Sequence, residues 1–280
     1  MECSWRYALD SSDSSDSSDS NSSSSSDNSG EMCEPAVLPC MIANSRNARY
    51  GVKVNALPDS GCDLSTVTED LASAIGARVL RTPETLYGAT GESVEVSGKA
   101  VIYVRVKGVS VKRLVVLVET HANCEVTFGY RDLIQLRVLA PNFPNLFTDP
   151  TAPLLPHPYG NSLTTPLLAC TVYFENVCGT VQQIELECVP DTGCSGSTIV
   201  SCSFASRTRI MFSKTNIQMR AASDTKMIVY GEAYVSISVK ETTIHTKVVI
   251  TDTMDDMLLC WRDLISLGVL PESFPMPTPE

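Results

Sequence analysis

An internal repeat is the feature that most constrains the fold of this chain. The tetrapeptide Asp59-Ser60-Gly61-Cys62 returns as Asp191-Thr192-Gly193-Cys194, so that position 59 matches position 191 at an offset of 132. A chance recurrence of a short turn motif would leave its flanks unmatched, whereas here the flanks match as well. The flanking pairs at that offset are Pro58 with Pro190, Ser65-Thr66 with Ser197-Thr198, and Val67 with Ile199.

A second set of matches marks the far end of each copy. Matches at both ends mean that a whole domain has been duplicated, and we predict two domains of one fold at residues 45–147 and 165–280. The matched segments are Arg131-Asp132-Leu133-Ile134 with Arg262-Asp263-Leu264-Ile265, and Phe143-Pro144 with Phe274-Pro275.

Alternating hydrophobicity predicts that each copy is built mainly of β-strands. Val52, Val54 and Ala56 alternate with polar residues just before the first tetrapeptide, which is the period of a half-buried strand. Only the segments after Arg131 and Arg262 show leucines at helical spacing, so each domain is predicted to be all-β with one short closing helix. The other alternating sets are Ile184, Leu186 and Cys188, and residues 100–106 and 233–239.

Two segments outside the copies differ from them in composition. Residues 1–40 are predicted to be a disordered acidic tail, because positions 10–30 are almost entirely Ser, Asp and Asn. Over residues 1–31, seven acids against one base give −6 of the net charge of −11. Residues 148–164 are predicted to be a linker, because the prolines there block both helix and central strand.

Composition and charge argue against several classes of function. Outside the tail the chain is mildly acidic and has no run of Lys and Arg, so nucleic-acid binding is not expected. We expect a soluble, cytoplasmic protein without membrane binding, because the sequence shows no signal peptide and no long apolar span. The 11 cysteines form no Cys-x-x-Cys pair, and His121, His157 and His245 stand alone. We therefore expect reduced thiols, no metal and no cofactor.

The repeated tetrapeptide suits acid and base chemistry. A strand that runs into Asp-[Ser/Thr]-Gly fixes the Asp, lets the hydroxyl hydrogen-bond locally, and uses Gly where backbone must approach the carboxylate. Two such carboxylates that face each other cannot both ionise at close range, so the pair keeps one proton and offers an acid and a base together. Such a pair can activate water to attack an amide.

With these motifs the chain resembles the retropepsin-like aspartic proteases, especially those of gypsy-type and BEL/Pao-type retrotransposons. The resemblance covers about residues 45–147 and 165–280, and it implies that each copy is a small β-barrel and that two barrels pair. It further implies that Asp59 and Asp191 are the catalytic carboxylates. In this family the hydroxyls of Ser60 and Thr192 would bond across two active-site turns, which Gly61, Cys62, Gly193 and Cys194 complete.

The resemblance also assigns a flap, the hairpin that closes over substrate, to Tyr87-Gly88-Ala89-Thr90-Gly91. The same resemblance implies that Ala221 and Ala222 belong to the substrate-binding flap of the second copy, although that segment has no glycine. Two further departures concern cysteines. Cys62 and Cys194 follow the glycine where the family often has Ala, and Cys260 stands where the first copy has Gly129.

Two functions are compatible with these observations. One is an aspartic endopeptidase that cleaves a polypeptide substrate, either in retroelement polyprotein processing or in a derived role. The other is a non-catalytic, degenerate retropepsin-fold module that binds proteins, which the departures in the second copy favour. The sequence also leaves open whether the two domains pair within one chain or with their twins in a homodimer.

Overall fold

Two closed six-stranded barrels in tandem form the structure of this protein. This confirms the predicted all-β class with two tandem barrels. The predicted linker and residues 1–33 of the predicted tail lie outside the described residues, and the first strand begins at Leu38. The computed structural model describes residues 34–48, 51–87, 93–120, 124–145, 166–194, 196–221, 226–253 and 255–277.

The first barrel brings the end of one strand, at Asp59, beside the start of its closing helix. Its elements are β1 (Leu38–Ala43), β2 (Val52–Asp59), β3 (Thr66–Thr68), α1 (Glu69–Ala74), β4 (Leu86–Tyr87), β5 (Ser93–Val94), β6 (Val96–Val106), β7 (Lys112–Glu119), β8 (Val126–Gly129) and α2 (Tyr130–Gln135). The barrel closes in the order β1-β2-β8-β3-β7-β6, and β4 and β5 form a separate hairpin. β8 lies parallel to the end of β2, with Gly129 opposite Asp59.

The second barrel repeats this topology. Its elements are β9 (Leu168–Glu175), β10 (Val181–Asp191), β11 (Thr198–Ser201), α3 (Cys202–Thr208), β12 (Val229–Val239), β13 (Thr242–Thr251), β14 (Met257–Cys260) and α4 (Trp261–Ser266). It closes in the order β10-β14-β11-β13-β12-β9, so every strand has the same neighbours as its counterpart in the first barrel. Cys260 lies opposite Asp191 in the parallel pair of β14 and β10.

Alternate residues of the long strands fill the barrel interiors, as the two-residue period predicted. Each closing helix also begins with an aromatic residue that packs on the Phe of the repeated Phe-Pro. The ring centroids of Tyr130 and Phe143 are 6.0 Å apart, and those of Trp261 and Phe274 are 6.3 Å apart. The buried residues of β6 and β12 are Ala100, Ile102, Val104 and Val106, and Ala233, Val235, Ile237 and Val239.

Each barrel contains one helix that the sequence analysis did not predict. α1 begins after Thr68, whose Oγ1 accepts from the N–H of Leu71 at 3.3 Å, and α3 begins after Ser201, whose Oγ accepts from the N–H of Phe204 at 3.0 Å. These hydroxyls are ordinary helix N-caps. The two helices have six and seven residues, too few for their periodicity to identify them. Within the described residues no helix is long and apolar enough to cross a membrane.

The structure changes one part of the alignment between the copies. Thr66 pairs with Thr127 in the first barrel, whereas Ile199 pairs with Leu258 in the second. The N-caps Thr68 and Ser201 are likewise 133 positions apart, not 132. The match of Thr66 with Thr198, and of Val67 with Ile199, is therefore wrong by one residue. The loop that follows Cys194 is one residue longer than the loop that follows Cys62.

The cysteines of the described residues are free thiols. Two of them, Cys170 and Cys188, face each other between β9 and β10 with 3.7 Å between their sulfur atoms. Both are buried in the second barrel. The full set is Cys40, Cys62, Cys124, Cys170, Cys178, Cys188, Cys194, Cys202 and Cys260.

Candidate active site

The first aspartate of the site stands at the end of β2, and the following turn holds its carboxylate. Asp59 Oδ1 accepts hydrogen bonds from the N–H groups of Gly61 and Cys62, both at 3.1 Å. Asp59 and Ser60 are buried. Backbone donors of this kind stabilise a carboxylate. In the second copy Asp191 Oδ1 accepts from the N–H groups of Gly193 at 2.9 Å and Cys194 at 3.2 Å.

Four buried hydrogen bonds join the two turns to each other across the barrels. Ser60 Oγ donates to the carbonyl oxygen of Pro190 at 2.6 Å and accepts from the N–H of Thr192 at 3.0 Å. Thr192 Oγ1 donates to the carbonyl oxygen of Pro58 at 3.0 Å and accepts from the N–H of Ser60 at 2.9 Å. Each hydroxyl therefore bonds to the backbone of the other turn, as the resemblance implied. The two barrels that meet here belong to one chain.

The carboxylate of Asp59 lies against the backbone of the second turn. A β-carbon at Gly193 would lie 2.7 Å from Asp59 Cγ and 2.9 Å from Oδ2, closer than real β-carbons come to other atoms. Asp59 therefore reaches the other barrel at the residue that directly follows Thr192. The structure brings the two Asp-Gly turns together face to face.

A buried network supports the first turn from behind. Ser65 Oγ donates to Asp132 Oδ2 at 2.5 Å and accepts from the N–H of Gly129 at 3.0 Å. Gly129 lies against the turn, because a β-carbon there would be 2.7 Å from the carbonyl oxygen of Cys62. Burial raises the pKa of Asp132 to about 6, although the hydrogen bond from Ser65 and the charge of Arg131 both lower it.

The second turn has a matching network with different residues. Thr198 Oγ1 donates to Asp263 Oδ2 and accepts from the N–H of Cys260 at 3.2 Å. Thr246 adds a second hydroxyl donor to the same carboxylate oxygen at 3.1 Å. Burial, followed by the nearby Asp263, raises the pKa of the Cys260 thiol to about 12, which keeps it neutral. Cys260 thus stands at the position of Gly129 of the first copy and donates its backbone N–H in the same way.

The cysteines of the two tetrapeptides serve as buried apolar residues. Cys62 Sγ donates to the carbonyl oxygen of Leu64 at 2.9 Å, and Cys194 Sγ donates to that of Ser197 at 3.3 Å. Cys62 packs in a small cluster with Leu86 and Leu117 beneath the turn. Cysteine is close to alanine in bulk and buries well, so these departures preserve the packing of the turns.

The flap predicted in the first copy is described at its two ends. Leu86 pairs with Val94, and Tyr87 pairs with Ser93, so β4 and β5 form the stem of a hairpin. The side chain of Tyr87 is exposed. Gly88, Ala89, Thr90 and Gly91 lie outside the described residues, and their flap role stays a prediction.

A hairpin stem also occupies the corresponding position in the second copy, although that sequence lacks glycine. The N–H of Met227 donates to the carbonyl oxygen of Met219 at 2.9 Å. Ala221 is fully buried and packs with Met219, Met227 and Cys194. Ala222 lies outside the described residues, so the substrate-binding role of both alanines stays a prediction. An isolated bridge in this stem joins Arg220 to Lys226.

Sequence reasoning missed the networks behind the turns. The signal was present, since Asp132 and Asp263 belong to the repeated Arg-Asp-Leu-Ile segment. An acidic residue in the first turn of a short helix is ordinarily explained by the helix dipole, which conceals a partner far away in sequence. Ser65 is 67 positions from Asp132, so only the fold shows that they meet.

The hydroxyls and thiols of the two tetrapeptides already have hydrogen-bond acceptors in the structure. Both hydroxyls of the tetrapeptides are used in the cross-barrel bonds, and both thiols donate to backbone carbonyls. Two buried carboxylates on facing turns can act as one base and one acid, because like charges at close range favour the state with one shared proton.

Comparison with known proteins adds two similarities of structure. No family model matches the chain, and no curated protein matches it. The chain is similar to the EIAV protease complexed with an inhibitor, at 21% identity over 36% of this chain and 86% of that one, with a TM-score of 0.29. It is also similar to the retroviral protease-like domain of Ddi1 from Leishmania major, at 20% identity over 44% of this chain and 95% of that one, with a TM-score of 0.28.

Proposed function

We propose that this protein is an aspartic endopeptidase in which Asp59 and Asp191 of one chain share a single active site. The observation that carries the proposal is the crossed bonding of Ser60 and Thr192, which ties the two aspartate turns into one unit. The contact of the Asp59 carboxylate with Gly193 supports the same conclusion. A chain that used its turns only for protein binding would not need two buried acids on facing turns.

The proposed reaction needs one proton shared between the two aspartates. The ionised carboxylate takes a proton from a water molecule that attacks the scissile carbonyl carbon, and the protonated partner donates a hydrogen bond to the developing oxyanion. The protonated partner then gives its proton to the leaving nitrogen as the C–N bond breaks. The hydrogen bonds from the turn amides keep both carboxylates fixed through these steps.

The proposed substrate is an extended polypeptide segment that passes beneath the hairpins of both barrels. The stems of the two hairpins, at Leu86–Tyr87 with Ser93–Val94 and around Met219 with Met227, support a cover over the site from both copies. Processing of a retroelement polyprotein, or a role derived from it, is the substrate class that the family resemblance implies.

The test is cleavage of unstructured peptides by the full chain and by Asp59→Asn and Asp191→Asn. Asn keeps the shape of the side chain but cannot titrate, so each substitution should abolish cleavage while the fold remains. An equimolar mixture of the two variants separates the modes of pairing. Within-chain pairing predicts no activity in the mixture, whereas pairing between chains would restore part of it.

The wild type should be most active in mildly acidic solution, where the pair holds one proton. An inhibitor with a hydroxyl in place of the scissile amide should bind more tightly than the matching substrate, because it resembles the tetrahedral intermediate. A folded wild-type chain that cleaves none of a varied peptide library between acidic and neutral pH would contradict the proposal and favour the protein-binding module.

A further inference from the structure

One face of the first barrel is basic, although the chain as a whole is acidic. On the outer side of β1, β2 and β6, Met41 is the cross-strand neighbour of Lys53 on one side and of Arg105 on the other. Both cations are exposed, as is Lys107 just beyond the end of β6. We call Lys53, Arg105 and Lys107 the basic face. They line a groove of about 890 Å³ together with Pro39 and Met41, and Glu125 is the acidic residue of that lining.

The second barrel shows that the fold does not require these charges. The equivalent row there has Thr171 between Glu185 and Ser238, with the same strand pairing. Two copies of one topology therefore place cations in the first barrel where the second has an acid and a hydroxyl. None of the three cations of the basic face pairs with an acid among the residues for which ion pairs are described. Their charge is available to a partner.

We propose that the basic face is the docking surface for the acidic amino-terminal segment of the same chain, residues 10–31. This segment ends shortly before β1, and Pro39 and Met41 of β1 line the groove itself. It carries Asp10, Asp13, Asp16 and Asp19 at a regular spacing of three residues. The attachment point and the opposite charge both favour this occupant.

The spacing of charges fits as well. In an extended chain, residues three positions apart lie about 10 Å apart. Lys53 and Arg105 lie on strands separated by one strand, β1, and such strands are about 10 Å apart. Successive aspartates of the segment can therefore meet successive cations of the face. The residues between Asp19 and Leu38 could extend over about 60 Å, so the tether allows the segment to turn back.

The tether also favours the segment over acidic groups of other molecules. A covalent connection of about this length gives an effective concentration in the millimolar range, so contacts that are weak individually still become occupied. A competing partner is the acidic row of a second copy, at Glu185 and Glu187. The docking is independent of proteolysis, because Lys53 precedes Asp59 by six residues along β2, at the far end of the strand.

Carbodiimide crosslinking of the full chain tests the proposal, because it joins Lys amines to carboxylates in contact. In low salt, Lys53 and Lys107 should crosslink to acids of residues 10–31, whereas the exposed Lys214 of the second barrel should not. The crosslinks should disappear in 1 M salt, where the screening length is about 3 Å. Replacing the four aspartates by Asn, or Arg105→Gln, should lower the yield, and the matched surface control Arg78→Gln should leave it unchanged.

A mixture of ¹⁴N- and ¹⁵N-labelled chains then identifies the occupant, since docking within one chain yields crosslinked peptides of a single label. Mixed-label peptides that join Lys53 to Glu185 or Glu187 would overturn the proposal and show that the face is an interface between copies. Equal crosslinking of Lys53 and Lys214 to the segment would also overturn it. Both readouts can be taken in the Asp59→Asn chain, so a failure of the proposed protease activity does not affect them.

Discussion

Gly193 on the second barrel occupies the place where any side chain would collide with Asp59 on the first. An added β-carbon would lie 2.7 Å from Asp59 Cγ, 2.9 Å from Oδ2 and 3.0 Å from Oδ1. The two residues are far apart in sequence, yet the Asp59 carboxylate leaves no room for a side chain at position 193. The glycine of the tetrapeptide is thus a contact residue for the carboxylate of the opposite copy, in addition to being part of its own turn.

This contact predicts that Gly193→Ala displaces the Asp59 carboxylate. Since a misplacement of about 1 Å at a reacting group can cost about 100-fold in rate, kcat/KM for peptide cleavage should fall by about that factor while the fold is retained. Gly196→Ala is the matched control, because a β-carbon there meets no atom within 4 Å. Equal activity in the two variants would show that Asp59 does not act from its position against Gly193.

The crossed bonds predict a large difference between two substitutions at Thr192. Thr192→Val keeps the shape but leaves the N–H of Ser60 and the carbonyl of Pro58 buried without these bonds. An unsatisfied buried group costs about 1–3 kcal/mol, so the free energy of unfolding should fall by about 3 kcal/mol. Thr192→Ser retains the hydroxyl and should stay within about 1 kcal/mol of the wild type in urea unfolding. Similar losses in both variants would mean that methyl packing dominates at this position.

The nine described cysteines are all free thiols, eight of them buried or half-buried and Cys178 exposed, which predicts a chain without a disulfide framework. Under denaturing, non-reducing conditions, most of the 11 cysteines should react with a thiol probe, since the described ones are free. In the native state the reaction should be much slower at Cys188 than at the exposed Cys178, because the hydrogen-bonding contact with the Cys170 thiol and burial both raise the pKa of Cys188. A count of one or two reactive thiols after denaturation would contradict this prediction.

Much of the fold follows from the repeat and from the two-residue period of its strands. Both signals are local, because alternation in β2 or β10 reports which face of that strand is buried. The helices α1 and α3 escaped prediction because one capped turn leaves no periodic pattern. Their N-caps, Thr68 and Ser201, and the acidic first turn of α1 at Glu69 and Asp70 are local traces of them in the sequence.

The alignment near the active site shows a limit of sequence comparison. Ser197-Thr198 matches Ser65-Thr66 in letters, but strand pairing assigns Thr198 to the role of Ser65. A shift of one residue moves every side chain of a strand to the opposite face, so register is decided by the partner strands and not by residue identity. The departure at Cys260, which the sequence alone associates with decay, keeps the backbone hydrogen bond that Gly129 makes in the first copy.

The network behind the first turn predicts a specific pH dependence of stability. The folded pKa of Asp132 is about 6, above its ordinary value of 3.8, so the folded state binds this proton more tightly and loses stability as pH rises from about 4 to 6. The full effect corresponds to about 3 kcal/mol. Asp132→Asn removes this titration, and in urea unfolding its stability relative to the wild type should rise across that window and stay constant above it. Ser65→Ala removes a hydrogen bond that lowers the folded pKa of Asp132, so it should extend the upper end of this pH window upward and leave the lower end unchanged. A wild-type profile parallel to that of Asp132→Asn would show that the carboxylate is not desolvated.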